Sequence, residues 1–335
     1  MPDKPTLVTP TPDVPLAEFP RNEELPEGCL LLEGTADDNR LQVECRELTY
    51  VTRTLANGLP CPRKIYVLIP SSKDPIYAQY EENGYPCVVF CQGSAWHRQN
   101  LYVHFTDHVR LAERGFVVAS VQYRESDLAP FPAQMQDFKT AVRYLRAHAT
   151  EFHIDPERLG FWGDSSGGHT VLMASLTAEG PAFAQAEGET IVLDTPDYQQ
   201  YSCVPRCVVD WYGPAELGRM NLVPSAQDHT EPGSPEGQLI GGRNVLEHPE
   251  WAWAASPVAY VPEASERALP PVLIMHGGRD QLVNFDQSCR MYERLRQAGQ
   301  DVTFYKLPDA NHGSNGFRCQ EALDVVEEFL RTQLG

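Results

Sequence analysis

The chain has 335 residues, with 27 basic against 46 acidic side chains, a formal net charge of −19, and 42% apolar and 22% charged content. That acidic balance, with no compact run of Lys and Arg, argues against nucleic acid and anionic membrane surfaces as partners. Nine Cys without a C-x-x-C pair suggest neither a zinc ribbon nor a disulfide framework, and no stretch approaches the ~18 consecutive apolar residues of a membrane span.

Taken in chain order, the first signal is proline. Pro2, Pro5, Pro10, Pro12, Pro15, Pro20 and Pro26 forbid a helix and favour an extended arm over residues 1–40. The same stretch has no basic run leading into an apolar core, so no secretion signal is expected and the chain reads as cytoplasmic. Val43 to Val51 and Lys64 to Ile69 predict an antiparallel pair. Cys87 to Cys91 and Phe116 to Val121 are near-continuous apolar runs, the pattern of strands buried on both faces of a parallel sheet. Between Asp137 and Ala149, Phe138, Ala141, Val142 and Leu145 recur at helical spacing, with Arg143 and Arg146 on the polar side facing solvent. Leu159 to Trp162, Cys207 to Trp211, Val272 to Met275 and Val302 to Leu307 add strands, giving about eight in all. Ala322, Val325, Val326, Phe329 and Leu330 close the chain as an amphipathic helix. Strands interleaved with helices predict an α/β sandwich over residues 41–335. The stretch of about 177–258 is rich in Gly, Pro and acidic residues, carries one clear strand, and is expected to be an insertion.

The chemistry is concentrated at three places. Leu159 to Gly168 runs a strand into Gly163-Asp164-Ser165-Ser166-Gly167 and then into a helix over Thr170 to Leu176. Such a nucleophile elbow needs small residues two before and two after the serine, because the strand-to-helix turn leaves no room for side chains. A serine hydroxyl is a weak nucleophile without a base, so a histidine and an orienting carboxylate are required later in the chain. Asp280 follows the strand Val272 to Met275 and a Gly277-Gly278 turn. His312 follows the strand Val302 to Leu307. Asp286 and Asp309 are rival orienters; the strand-end placement favours Asp280. His104 and His108 stand four apart on a probable helix, yet no H-E-x-x-H surrounds them, and no metal is assigned.

On these residues the sequence resembles the α/β-hydrolase superfamily from about Leu41 onward. Gly163 to Gly168, Tyr123-Arg124, Asp280 and His312 resemble in particular the hormone-sensitive-lipase-like and BD-FAE-like carboxylesterases. The resemblance implies an α/β-hydrolase fold, a mostly parallel sheet flanked by helices, with a lid-like insertion around 177–258. It implies a serine carboxylesterase that uses Ser165, His312 and Asp280 and needs no cofactor. Where those families carry H-G-G-G-W, this chain has Gln92-Gly93-Ser94-Ala95-Trp96, so the backbone amides of Ser94, Ala95 and Ser166 are the expected oxyanion donors. Trp96 and Tyr123 each follow a central strand and read equally as substrate-pocket or core aromatics. The implied substrate is a small-molecule ester, with acetyl or hydroxycinnamoyl esters of plant carbohydrates and acylated oligosaccharides as candidates. An amidase or peptidase of the same fold, of the kynurenine-formamidase kind, and a non-catalytic binding scaffold on that fold are the alternatives.

Overall fold

The computed structural model describes residue 18 and residues 23–31, 41–71 and 83–335. The chain divides into two packed units, residues 1–39 and 40–335. The expected proline-rich arm lies mostly outside the described residues.

The centre of the second unit is an eight-stranded sheet in the order β1-β2-β4-β3-β5-β8-β9-β10. The strands are β1 (Gln42–Thr54), β2 (Pro60–Ser71), β3 (Tyr85–Cys91), β4 (Val117–Val121), β5 (Ile154–Asp164), β6 (Phe183–Ala186), β7 (Glu189–Val192), β8 (Val208–Trp211), β9 (Val272–Gly277) and β10 (Val302–Leu307). β1 pairs antiparallel with β2, and β2 with β4. Every later pairing in this eight-stranded sheet is parallel. Each residue of β3, β4, β8 and β9 is buried, which is why their sequences read as unbroken apolar runs rather than alternating ones. One core face gathers Val89, Phe138, Phe161, Val171 and Ile274, and the opposite face Phe90, Trp162, Trp211, Val326 and Leu330. The helix Ala133–Ala147 covers the first face. The helix Gln320–Leu334 covers the second, with Ala322, Val326, Leu330 and Leu334 inward.

Two expectations need correction, one on the region after residue 177 and one on the helix Ala133–Ala147. First, that region carries a small second sheet: β6 and β7 pair as a hairpin around Glu187 and Gly188, whose φ values are 50° and 82°. Left-handed geometry at both turn residues is the preferred way to close a tight hairpin. Four-residue strands and a Glu-Gly turn leave little pattern to read. Second, the polar side of Ala133–Ala147 does not face solvent. Lys139 Nζ donates to the carbonyls of Thr177 and Leu193 at 3.0 Å each. Arg143 holds both oxygens of Asp194 at 2.8 and 3.0 Å, and Arg146 Nη2 donates to the Val204 carbonyl at 2.7 Å. The cationic face is a clamp on the segment 193–204.

The sheet also creates the cleft. β4 lies on one side of β3 and β5 on the other, so the chain leaves β3 and β5 in opposite directions. Loops diverging at such a switch point open a crevice beyond the carboxyl ends of the strands. Among the described residues no helix is long and apolar enough to cross a membrane.

Candidate active site

β5 ends at Asp164 and the helix Ser166–Leu176 starts two residues later, leaving Ser165 alone in the turn at φ 52°, ψ −126°. This is costly backbone for a residue with a Cβ. Glycines on either side permit it. A Cβ at Gly163 would lie 2.4 Å from the Gly167 carbonyl oxygen, and one at Gly167 would lie 2.0 Å from that of Cys91. The turn lifts Ser165 Oγ clear of the sheet and sets it over a helix N-terminus, where the backbone dipole favours negative charge.

Ser165 Oγ donates to His312 Nε2 at 2.9 Å, and His312 Nδ1 donates to Asp280 Oδ2 at 2.7 Å. All three residues come from loops at the carboxyl ends of β5, β9 and β10. Asp280 is held from four directions. Its Oδ1 accepts the Leu282 and Val283 amides at 2.9 and 3.0 Å, and its Oδ2 faces His276 Nε2 at 3.2 Å as well as His312. Burial disfavours its charge, but the two histidines prevail and hold the carboxyl below its ordinary range. Asn311 clips the two loops together, its Oδ1 accepting the Gln281 amide at 3.0 Å. The rival carboxylates lie elsewhere: Asp309 pairs with Arg279 at 2.9 Å on the surface, and Asp286 with Arg290 at 2.6 Å.

The loop after β3 runs alongside the elbow. Ala95 and Trp96 adopt φ of 54° and 57°, left-handed geometry for which the H-G-G-G-W pattern would supply glycine at position 95. The Ser94 amide does not stand free as expected, because it donates to Ser166 Oγ at 2.9 Å. The Ala95 and Ser166 amides have no backbone or side-chain acceptor among the described residues. Trp96 lines the cavity beside Ser165 while its indole donates to His169 Nδ1 at 3.1 Å. Tyr123 does not reach the cavity. It is fully buried behind the loop, its hydroxyl 3.0 Å from Ser94 Oγ and 3.4 Å from Ser166 Oγ. Two serines draw this tyrosine inward.

A buried polar cluster that the sequence did not reveal ties these loops together. Asp164 Oδ1 accepts the Gly93 amide at 2.7 Å, and its Oδ2 faces His104 Nε2 at 3.4 Å and the Tyr212 hydroxyl at 3.5 Å. Burial opposes a charge on His104, and so does Arg318, whose Nη2 is 3.0 Å from Nδ1. Asp107 and Asp164 outweigh both and push the imidazole up to about 9. Arg318 continues the chain of contacts to the Gly313 carbonyl at 3.3 Å, next to His312. His104 thus lies in the interior between the two loops, while His108, four residues on, is driven down to about 3 by burial and meets the Tyr66 hydroxyl. The i, i+4 spacing was the one sequence signal for this cluster.

Ser165, His312, Ala95, Trp96 and Tyr212 line a cavity of ≈ 260 Å³ together with Glu236 and His229. Glu236 and His229 come from the 177–258 region, and no spacing in the sequence marks them.

Residues 74–295 match the BD-FAE family. Esterase LipC of Mycobacterium tuberculosis is 30% identical over 254 residues, covering 73% of this chain and 58% of LipC. Esterase LipQ of the same organism is 26% identical over 255 residues, 73% of this chain and 55% of LipQ. The chain therefore spans little more than half the length of these curated relatives. Among solved structures, a truncated form of a carbohydrate esterase from gut microbiota has a TM-score of 0.73 and 27% identity, with 90% of this chain and 99% of that one covered.

Proposed function

Since the chain belongs to the BD-FAE family, we propose that it is a serine carboxylesterase acting on short-chain acyl esters, with carbohydrate esters as the preferred class. The observation that carries this reading is the continuous relay from Ser165 Oγ through His312 to Asp280, with contacts of 2.9 and 2.7 Å, beside two amides without acceptors among the described residues.

In this reading Ser165 Oγ attacks the acyl carbon as its proton passes to His312 Nε2. Asp280 keeps Nδ1 protonated, so that Nε2 is the basic nitrogen, and steadies the imidazolium that forms. The oxygen of the tetrahedral intermediate takes hydrogen bonds from the Ala95 and Ser166 amides, above the helix N-terminus. Ser94 contributes differently from the sequence expectation: its amide fixes the Ser166 hydroxyl and so the loop. His312 then protonates the departing alcohol, and water repeats the sequence on the acyl-enzyme. A cavity of ≈ 260 Å³ falls just below the ~300 Å³ lower end of small-molecule sites, which supports a short acyl chain. Likeness to a carbohydrate esterase supports the alcohol class.

Ser165→Ala is expected to lower p-nitrophenyl acetate hydrolysis by on the order of 10⁶ with an unchanged circular dichroism spectrum. Retained turnover by the folded variant would sink the proposal.

A further inference from the structure

The cavity beside Ser165 holds a second ionic pair, separate from the relay. His229 and Glu236 both line it, and they are only 2% and 3% exposed. His229 Nε2 lies 2.9 Å from Ser225 Oγ and 3.0 Å from the Leu282 carbonyl oxygen, while Nδ1 lies 2.9 Å from Glu236 Oε1. Nε2 has the Leu282 carbonyl to donate to; Nδ1 makes no hydrogen bond among the described residues, but although burial opposes the charge, the Glu236 carboxylate beside it favours the protonated ring. Its charge balances that of Glu236, and the pair is neutral as a unit.

Only one oxygen of Glu236 is engaged this way. Oε2 is buried and makes no hydrogen bond among the described residues. A carboxylate has about four lone-pair sites, and one left unpaired in the interior costs free energy until a donor arrives. Pro214, Pro235, Leu282 and Val283, which line the same cavity, bring no side-chain donor. Gln227 also lines the cavity and carries a side-chain amide, but among the described residues it makes no hydrogen bond to Glu236, so the site is open to a donor from outside the protein. A neutral pair gives no net attraction for a cation, and the unpaired lone pairs repel a carboxylate. A neutral hydroxyl suits the site, and the apolar neighbours suit the carbon face of a ring that bears it.

We infer that Glu236, held in place by His229, is the hydroxyl-accepting residue for the alcohol portion of the substrate, selecting esters of polyhydroxylated alcohols such as pyranose sugars. This rests on the esterase reading above and extends it to the leaving group. The discrimination comes from a charge-assisted hydrogen bond that an alcohol without hydroxyls cannot make.

The test compares two acetates of similar ring size: a monoacetylated methyl xylopyranoside, with free hydroxyls, and cyclohexyl acetate, with none. The unmodified protein is expected to favour the xyloside in kcat/KM by at least about tenfold. In Glu236→Gln, which keeps the size but loses the anionic acceptor, that ratio is expected to fall about tenfold, chiefly through the KM of the xyloside. A ratio that stays constant in the variant, even if both rates decline, would overturn the inference and leave the pair a structural one. Should the variant fail to fold, the unmodified protein still decides: methyl xylopyranoside inhibits aryl-ester hydrolysis competitively and cyclohexanol does not, whereas equal inhibition contradicts the assignment. Hydrolysis of neither acetate nor an aryl ester would instead mark the failure of the esterase reading itself.

Discussion

At the scale of single residues, position rather than identity separates Asp280 from the other carboxylates near His312. The Asp280 side chain is completely buried and lies 2.7 Å from Nδ1, while that of Asp309 is 81% exposed and paired with Arg279. Asp280→Asn is therefore expected to lower kcat on the order of 10⁴-fold, as in the template triad where the amide presents the wrong tautomer of the base. Asp309→Asn is expected to leave kcat within about twofold, since a solvated surface pair contributes little. Steady-state kinetics on an aryl acetate read both, and a larger loss from Asp309→Asn would reverse the assignment. The relay was legible in the sequence because each member follows an apolar strand and a turn, and strand ends are where this fold presents side chains. Tyr123 was not legible. Its place behind the loop depends on Ser94 and Ser166, which meet it only in three dimensions.

At the scale of elements, the central strands were readable because burial on both faces leaves no alternation to misinterpret. The β6–β7 hairpin was not, since four-residue strands give too short a period. The cationic face of Ala133–Ala147 misled for a different reason: amphipathic spacing reports which side is apolar, but not that another segment will cover the polar side. β8 carries a consequence for stability. Asp210 is fully buried in it, with Oδ1 accepting the Gly213 amide at 3.0 Å and Oδ2 unpartnered among the described residues. Desolvation pushes its carboxyl up to about 7. A group raised above its unfolded value of about 3.9 favours the folded state fully below that value, and the contribution is lost as pH rises through about 7. Above that, the penalty is on the order of 4 kcal/mol, from ~1.4 kcal/mol per pKa unit. Asp210→Asn, which mimics the protonated acid, is expected to raise the melting temperature relative to the unmodified protein more at pH 8 than at pH 5. Thermal unfolding across that range checks it, and a gap independent of pH would contradict it.

For the whole molecule, the fold converts a linear order of Ser165, Asp280 and His312 into one cleft at the carboxyl ends of adjacent parallel strands. It also brings in Glu236 and His229 from the long segment between β7 and β9. The first set was visible as motif, the second only as geometry, because His229 lies on a loop and Glu236 on the short helix Pro235–Leu239, neither long enough for a period to announce it. The net charge of −19 weighs against anionic substrates and accords with a neutral ester. The central claim is that Ser165 is an activated nucleophile. It is tested most directly by reacting the unmodified protein with a fluorophosphonate and locating the adduct by peptide mass spectrometry. One equivalent on the peptide containing Ser165, abolished by His312→Ala, is the predicted result; an unreactive Ser165, or label on a different residue, would contradict the account.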